Sequence, residues 1–463
     1  MNPTSITMRP LIAAIATAPG QGGVGIVRLS GSFAEIQTVA QAVLGKLPEP
    51  RQALYHSFLD DQGEVIDKGI SLYFPAPHSF TGEHVLELQG HGGSAVLDLT
   101  LQRCMQCGAR LAAPGEFTHR AFLNNKIDLA QAEAIADVIA ATTSQAARAA
   151  TRSMSGVFSK AVNAIVQELI ELRMLVEALI DFPEEELDFL ERYPIREPLS
   201  SLHSAVAALI KKAHAGVWLQ RGMNIVLLGA PNVGKSSLLN SLIGDEVAIV
   251  TPIAGTTRDP VRHSLQIKGI PVHVVDTAGV RKTSDIVEQM GIDRSWKEAN
   301  RADLIVLMQA CGDVDSAREI ESCLEQLPPD IPQLWVHNKV DVVQQAPRCE
   351  KDCNSITHVY LSARTAEGLK HFESAVLDVL NVELNPAEDT FMARNRHLEA
   401  LKLAQSYIVD AENVWDAYLN HGIPLEIIAE SLRAAQQALN SITGEFTADD
   451  LLGVIFGQFC IGK

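Results

Sequence analysis

The sequence predicts a multidomain protein that combines an α+β domain, a helical domain and an α/β domain. Its 463 residues exceed what one hydrophobic core usually organises. The hydrophobic pattern also changes along the chain. Short apolar runs between Gly and Pro occupy residues 1–120, helical periodicity covers 121–216 and returns over 383–463, and alternating strands and helices fill 217–382. We therefore expect an N-terminal domain and a helical domain that is interrupted by an inserted α/β domain.

The overall charge and the cysteine content limit the class of protein. The chain has 38 basic and 56 acidic residues, a net charge of −18, which argues against coating nucleic acid through a global positive field. Its seven cysteines are an odd number without framework spacing, which is typical of a reducing compartment. The sequence contains no run of about 18 apolar residues. These observations predict a cytoplasmic protein without a membrane segment.

The N-terminal region shows the pattern of short strands separated by turns. Its apolar runs are LIAAIATA, GVGIVRLSG, GISLYFPAP and HVLELQGHGG, and each is bounded by Gly or Pro. Runs of this length and composition predict strands in an α+β domain over residues 1–120.

The helical region has one long apolar face. Apolar residues recur at three- and four-residue steps, which places them on one side of a helix; they are Val162, Ile165, Val166, Leu169, Leu172, Val176 and Leu179. Residues 395–440 carry a similar pattern, so we expect the helices on both sides of the insert to pack together.

The inserted region begins with a phosphate-binding motif. The predicted strand MNIVLL runs into GAPNVGKSS, in which Gly229, Gly234, Lys235 and Ser236 match GxxxxGKS. Glycines let backbone amides wrap phosphates, the lysine reaches the terminal phosphates, and the serine hydroxyl binds Mg²⁺. The candidate contacts in this motif are Asn232, Val233, Gly234, Lys235, Ser236 and Ser237.

Three further motifs follow in the order that a GTPase requires. Asp276 ends the run PVHVVD beside a Mg²⁺ site, and Gly279 offers an amide to a γ-phosphate. Asp341 in NKVD can accept two hydrogens from the guanine edge, which adenine does not supply, so the sequence predicts GTP. The candidate contacts are Asp276, Thr277, Ala278 and Gly279, then Asn338, Lys339, Val340 and Asp341, and finally Ser362, Ala363 and Arg364.

The polar segment TPIAGTTRDP lies where a switch loop belongs. Thr257 is the residue expected to complete the Mg²⁺ shell with Ser236. The candidate GTP contacts in this segment are Thr251, Pro252, Ile253, Ala254, Gly255, Thr256 and Thr257. Val280, however, occupies the position of the water-orienting Gln of Ras-type GTPases, and an aliphatic side chain cannot orient water. Either the protein binds GTP without hydrolysing it, or another residue supplies that function.

Motifs along the whole chain resemble one family, the tRNA modification GTPase MnmE (TrmE) family. They are GQGGVGIVRLSG, LELQGHGG, PGEFTHRAFLNNKIDLAQAEAIADVI, GAPNVGKSSLLN, IAGTTRD, DTAGVR, NKVD and the terminal FCIGK. FCIGK is the most specific of them, because generic GTPases lack it.

The resemblance implies how GTP is hydrolysed without the Gln. Members of this family use a K⁺ ion in the place of an arginine finger when two G domains face each other. By resemblance, the ligands of K⁺ are Asn232, Thr251, Ile253 and Thr256, and Glu288 is the catalytic residue that positions water.

The resemblance also implies a folate site and partners. The N-terminal domain of the family dimerises and binds 5-formyl-tetrahydrofolate or a related one-carbon folate, here through Arg28, Glu87, Lys126 and Lys463. Cys460 is a candidate catalytic thiol. Some relatives carry a basic residue in the GxGG turn, where this chain has Gln21, and this difference weakens a direct ligand role for the turn.

The implied activity is modification of the C5 position of the wobble uridine of certain tRNAs. The family acts as a homodimer that forms a heterotetramer or larger complex with a flavin-dependent partner, MnmG, and adds an aminomethyl or carboxymethylaminomethyl group. Two alternatives remain open. A ribosome-assembly GTPase that binds ribosomal RNA would share the GTPase motifs but lack FCIGK and the folate-like domain. A stand-alone folate-dependent aminomethyltransferase with a regulatory G domain would work without a flavoprotein.

Overall fold

The chain folds into two units, each with its own β-sheet. The computed structural model describes residues 9–181, 195–244, 262–276, 299–324, 327–382, 390–418, 424–444, 455–457, 459 and 462. One unit comprises Met1–Ala136 with Asn440–Lys463, and the other comprises Asp137–Leu439. The first unit has a mostly antiparallel sheet with helices, and the second has long helices and a mostly parallel sheet. The predicted multidomain α+β and α/β architecture is therefore confirmed.

The first unit contains a six-stranded sheet. Its strands are β1 (Ile12–Ile15), β2 (Gly22–Gly31), β3 (Leu54–Leu59), β4 (Val65–Phe74), β5 (His84–Gly92) and β6 (Arg110–Leu111). They lie in the order β3-β4-β5-β2-β1-β6, and β1 pairs parallel with β6 while the other pairs are antiparallel. The predicted strand character of this region is confirmed.

Four helices in the described part of this region accompany the sheet. They are α1 (Phe33–Leu44), α2 (Ser94–Gln106), α3 (Glu116–Leu123) and α4 (Leu129–Ala140), the last of which crosses the division between the units. Helix α1 begins with a capping box between Ser32 and Glu35, which satisfies backbone amides at its start.

Helices α1 and α2 cover one face of the sheet. Apolar residues of α1 and α2 pack with alternate residues of the strands, such as Val27 and Leu86. The opposite side of the sheet is the outer face, where Phe117 of α3 packs with Ile12 and Ala14 of β1.

The end of the chain packs within the first unit. Phe456 and Phe459 belong to an apolar cluster with Leu129 and Ala132 of α4. The ring of Phe456 also stacks on His119, with ring centroids 4.6 Å apart. These contacts hold the C-terminal segment against α3 and α4.

In its described part, the second unit contains long helices from both sides of the insert and three shorter helices within the insert. The helices are α5 (Ser144–Met154), α6 (Val157–Asp181), α7 (Arg196–Arg221), α8 (Lys235–Gly244), α9 (Val314–Leu324), α10 (Leu369–Val379), α11 (Asn395–Tyr418) and α12 (Leu425–Thr443), of which α8 to α10 lie within the insert. All seven apolar residues predicted for one face of α6 are buried, so that prediction is confirmed. Helix α7 packs against both α6 and α11.

The second sheet organises the inserted region. Its strands are β7 (Met223–Gly229), β8 (Arg262–Ile267), β9 (Ile270–Asp276), β10 (Leu304–Ala310), β11 (Gln333–Asn338), β12 (Arg348–Lys351) and β13 (Thr357–Tyr360). Their order is β12-β13-β11-β10-β7-β9-β8, with antiparallel pairing only of β12 with β13 and of β8 with β9 among the described strands. The parallel centre places the carboxyl ends of β7, β9, β10 and β11 along one edge, where ligands of such sheets bind. No helix in the described ranges is long and apolar enough to cross a membrane.

Candidate functional site

The loop between β7 and α8 has the backbone geometry of a phosphate cradle. Asn232 and Gly234 have positive φ angles of 63° and 103°, which turn successive amides toward one side of the loop. A Cβ atom on Gly234 would lie 2.3 Å from Nδ2 of Asn338. The glycine is therefore required both by its φ angle and by the close approach of a neighbouring loop.

Lys235 lies inside this loop at the start of α8. Its side chain is almost fully buried, and its Nζ donates to the carbonyl oxygens of Gly229 at 2.8 Å and Ala230 at 3.1 Å. Burial of an ammonium group is costly unless acceptors surround it. Phosphate oxygens carry more negative charge than carbonyls and form stronger, charge-assisted bonds with it. The lysine is thus held beside the place where the cradle receives phosphates.

The first turn of α8 presents the hydroxyl groups of the motif. Ser236 and Ser237 are both exposed, whereas Val233 is buried and anchors the loop against the sheet. A hydroxyl at a helix N-terminus beside bound phosphate is where P-loop proteins bind Mg²⁺.

Asn338 joins the phosphate loop to the last loop of the site. Its Nδ2 donates to the carbonyl of Val233 at 2.7 Å, and its Oδ1 accepts from the amide of Ala363 at 2.9 Å. The side chain is 2% exposed. Asn338 therefore holds together three segments that lie far apart in the sequence.

Asp341 lies at the edge of the same site with its carboxylate ionised. A hydrogen bond with Ser362 and the charge of Arg364 lower its pKa. Arg364 Nη2 donates to Asp341 Oδ2 at 2.7 Å. Between Asn338 and Asp341 in the chain, Lys339 has a φ angle of 67° and Val340 is fully buried. An ionised acceptor in this position suits the two N–H groups of guanine.

Asp276 is the last residue of β9, and its backbone lies beside Leu227 of β7. The sheet therefore brings Asp276, the phosphate loop and Asn338 to the same edge. The remaining predicted GTP, metal and catalytic residues lie outside the described residues; they are Thr251, Pro252, Ile253, Ala254, Gly255, Thr256, Thr257, Thr277, Ala278, Gly279, Glu288 and Cys460.

A second polar cluster lies on the outer face of the N-terminal sheet. Arg28 of β2 and Glu87 of β5 are direct cross-strand partners, and Arg28 Nε donates to Glu87 Oε1 at 2.9 Å. The guanidinium carbon of Arg28 is also 5.9 Å from the ring centroid of Phe80 and 5.8 Å from that of Phe117. The sheet thus brings together two of the four residues predicted for folate.

The other two predicted folate residues have different outcomes. Lys126 is exposed, and its aliphatic carbons lie close to Gly82. Lys463 lies outside the described residues, but the carbonyl of its neighbour Gly462 accepts a long hydrogen bond of 3.5 Å from Arg28 Nη1. The chain end therefore reaches the Arg28–Glu87 pair.

Sequence reasoning missed a buried ionic network next to this cluster. Arg120 is 1% exposed, and its guanidinium binds Glu83 at 2.8 Å, Glu116 at 2.9 Å and the carbonyl of Pro10 at 2.7 Å. Arg120 lies within the PGEFTHRAF motif that carried the family resemblance, but its burial depends on partners from distant parts of the chain.

A parallel sheet that gathers a phosphate loop and a guanine-recognition loop along one edge defines a P-loop GTPase. Comparison with known proteins specifies which kind. A family model described as the MnmE helical domain matches residues 129–460, and one described as the GTP-binding protein TrmE N-terminus matches residues 11–126.

Curated relatives match over nearly their whole lengths. The tRNA modification GTPase MnmE of Nitrosomonas europaea is 54% identical over 463 residues, which is 99% of this chain and 100% of the relative. Those of Nitrosomonas eutropha and Thiobacillus denitrificans are 54% and 53% identical, and each alignment covers 98% of this chain and at least 98% of the relative. The chain therefore belongs to the tRNA modification GTPase MnmE family, and it is a GTP hydrolase.

Proposed function

We propose that this protein is a K⁺-activated GTPase that modifies the C5 position of the wobble uridine of certain tRNAs. It works in the cytoplasm with the flavin-dependent partner MnmG and uses a folate one-carbon unit to add an aminomethyl or carboxymethylaminomethyl group. The observation that carries the proposal is the presence, in one chain, of the guanine-nucleotide loops and of the Arg28–Glu87 cluster that the end of the chain approaches.

Each predicted domain has its own function in this proposal. The N-terminal domain, 1–120, binds folate and dimerises, the helical domain is formed by 121–216 and 383–463, and the G domain is 217–382. The G domain binds GTP and Mg²⁺ through the loops described above, with Ser236 and Thr257 as Mg²⁺ ligands.

The residues of the N-terminal cluster fit a reduced folate. Its pterin ring has a donor edge that matches a carboxylate such as Glu87, and its glutamate tail is anionic and matches Lys126 and Lys463. A bound 5-formyl-tetrahydrofolate or related folate supplies the one-carbon unit. The protein's own contribution is to bind and orient that group, and the thiol of Cys460 assists the transfer.

An exposed apolar patch on the outer face supports a homodimer. Tyr55 is 73% exposed and pairs across the strands with Ile70, which is 39% exposed. Ile70 in turn neighbours Gln89, which contacts Glu87. A second copy seated on this patch would cover the apolar surface and adjoin the folate cluster.

Nucleoside analysis of tRNA tests the proposal. A strain that lacks this chain should lose the C5 modification of the wobble uridine, and the wild-type gene should restore it. Lys235→Ala, Glu87→Ala and Cys460→Ser variants should each fail to restore it, while Cys460→Ser protein keeps GTP turnover. If the deletion strain loses the tRNA modification but keeps wild-type ribosome profiles, the protein does not act in ribosome assembly. Modification that persists in a strain without MnmG would favour a stand-alone aminomethyltransferase.

A further inference from the structure

The Arg28–Glu87 pair belongs to two rows of side chains on the outer face of the N-terminal sheet. The pairing register aligns Ala14, Arg28, Glu87 and Leu72 in one row. The adjacent row contains Ile26, Gln89, Ile70 and Tyr55. Alternate residues of a strand point to the same face, so Gln89 and Glu87 are neighbours along β5. The polar members therefore form one group between apolar side chains.

Both oxygens of the Glu87 carboxylate are held by this group. Arg28 Nε donates to Oε1 at 2.9 Å, and Gln89 Nε2 donates to Oε2 at 3.0 Å. The side chain of Glu87 is only 12% exposed. A carboxylate accepts about four hydrogen bonds, so each oxygen keeps a lone pair for a ligand.

Two hydrogen-bond donors hold the Glu87 carboxylate in a more defined orientation than one donor does. Arg28 alone would leave Glu87 free to turn about its last bond, because one hydrogen bond to one oxygen does not fix the plane of the group. The second bond from Gln89 fixes that plane. A binding group that is already oriented loses less conformational entropy when the ligand arrives.

We infer that Gln89 is a positioning residue that orients the Glu87 carboxylate toward the pterin-like ring of a bound folate. This role rests on the proposed function of Glu87 as a folate ligand. Gln89 acts through Glu87 by donating one hydrogen bond from its amide, so its effect on binding requires the Glu87 carboxylate.

A double-mutant cycle tests the inference by isothermal titration calorimetry with 5-formyl-tetrahydrofolate and the full-length protein. Gln89→Met keeps the length of the side chain and removes the donor, so folate affinity should fall about tenfold, as expected when one hydrogen bond that orients a charged group is lost. In the Glu87→Ala background, Gln89→Met should cause no further loss. Gln62→Met is the matched control, because Gln62 lies exposed in the turn between β3 and β4, and it should bind like the wild type.

The possible outcomes separate the inference from the proposed function. Wild-type affinity in Gln89→Met, together with weak binding by Glu87→Ala, overturns the positioning role alone. An equal loss in both backgrounds shows a general structural effect and also overturns it. Wild-type affinity in Glu87→Ala overturns the proposed folate role of Glu87 and the inference with it. Thermal unfolding identifies any variant that does not fold, and Gln89→Asn, whose shorter amide does not reach Glu87, then replaces Gln89→Met with the same expected loss.

Discussion

At the scale of single residues, Asn338 shows how one side chain can hold a binding site together. It is buried and binds the backbone of both Val233 and Ala363. Its removal leaves a buried carbonyl and a buried amide without this partner, and each such group costs about 1–3 kcal/mol.

We expect Asn338→Ala to lower both GTP affinity and the stability of the second unit. The variant protein lacks the preformed contact between the phosphate loop and the guanine loop, so its affinity for GTP should fall at least about tenfold. Titration with a fluorescent guanine nucleotide measures the affinity, and urea unfolding followed by tryptophan fluorescence measures stability. Asn354→Ala in an exposed turn is the control. Equal affinity and stability in the two variants would show that Asn338 does not join the loops.

In the first unit, Arg120 is a buried side chain that joins distant segments, as Asn338 does in the second unit. Arg120→Met removes the cation that lies between Glu83 and Glu116, and leaving the largely buried Glu83 carboxylate without this ionic partner should cost about 3–5 kcal/mol. Arg110→Met is the matched control. Arg110 also binds Glu116 but its side chain is 47% exposed, so its loss should cost less than about 1 kcal/mol.

Hydrogen exchange of the first unit measures this difference. All four tryptophans lie in residues 137–439, so tryptophan fluorescence does not report directly on the first unit. Exchange protection in β2 and β5 should fall strongly in Arg120→Met and little in Arg110→Met. Similar protection in both variants would mean that burial does not determine the contribution of these arginines.

We hypothesise that Glu288 supplies the water-orienting function that the aliphatic side chain of Val280 cannot perform. Both residues lie outside the described residues, and the family resemblance gives Glu288 the task of positioning water. Glu288→Ala should leave GTP affinity nearly unchanged and lower turnover at least about tenfold, a loss near 1.4 kcal/mol of transition-state stabilisation. Single-turnover hydrolysis is the measurement, because it isolates the chemical step. A wild-type rate would assign the water to another group, with Asp285 as the next residue to test.

At the scale of elements, the β8–β9 hairpin is tied to helices at its tip. The turn residues Lys268 and Gly269 have positive φ angles of 47° and 82°, as a two-residue type I′ turn requires. The Thr143 hydroxyl, which caps α5, donates to the carbonyl of Gly269 at 2.7 Å, and Lys268 Nζ donates to Ser374 of α10 at 3.0 Å. The predicted switch segments directly precede β8 and directly follow β9 in the chain. The contacts at the tip therefore attach the hairpin that separates these two segments to α5 and α10.

We expect Thr143→Val to weaken this connection. The substitution removes both the N-cap of α5 and the bond to Gly269, which should destabilise the second unit by about 1–2 kcal/mol. Thr151→Val on the same helix is the control, since its hydroxyl bonds only within the helix among the described contacts and is exposed; it should change stability by less than about 0.5 kcal/mol. Urea unfolding followed by tryptophan fluorescence measures both. If the two variants unfold at the same urea concentration, the tip contact adds nothing to stability.

At the scale of the whole molecule, hydrolysis is proposed to depend on two chains and a monovalent cation. Asn232 lies exposed in the phosphate loop with a positive φ angle, in a position where its side chain is open to a partner or an ion. A cation there would stabilise charge that develops on the phosphoryl oxygens.

GTP turnover should therefore be at least about tenfold faster in K⁺ than in Na⁺ at matched ionic strength. Asn232→Ala should abolish the difference while GTP affinity changes little, because Lys235 and the loop amides remain. Steady-state hydrolysis in the two salts measures the effect, and Asn354→Ala, in the exposed turn between β12 and β13, is the control that should keep it. Equal wild-type rates in both salts would contradict the K⁺ assignment.

The sequence alone determined the features that depend on short stretches of chain. The phosphate loop is contiguous from Gly229 to Ser237, and its function depends on local backbone geometry, so GxxxxGKS was sufficient to predict it. The apolar face of α6 was equally readable, because helical periodicity assigns each residue to a face before any partner is known.

Only the tertiary structure decided which distant groups meet. Asn338 binds Val233, 105 residues away, and Arg120 binds Pro10, 110 residues away. Glu87 and Arg28, 59 residues apart, became partners only when β5 was paired with β2 in this register. Such contacts depend on strand order, register and helix packing, which arise from many weak interactions spread over the chain, and no short motif records their sum.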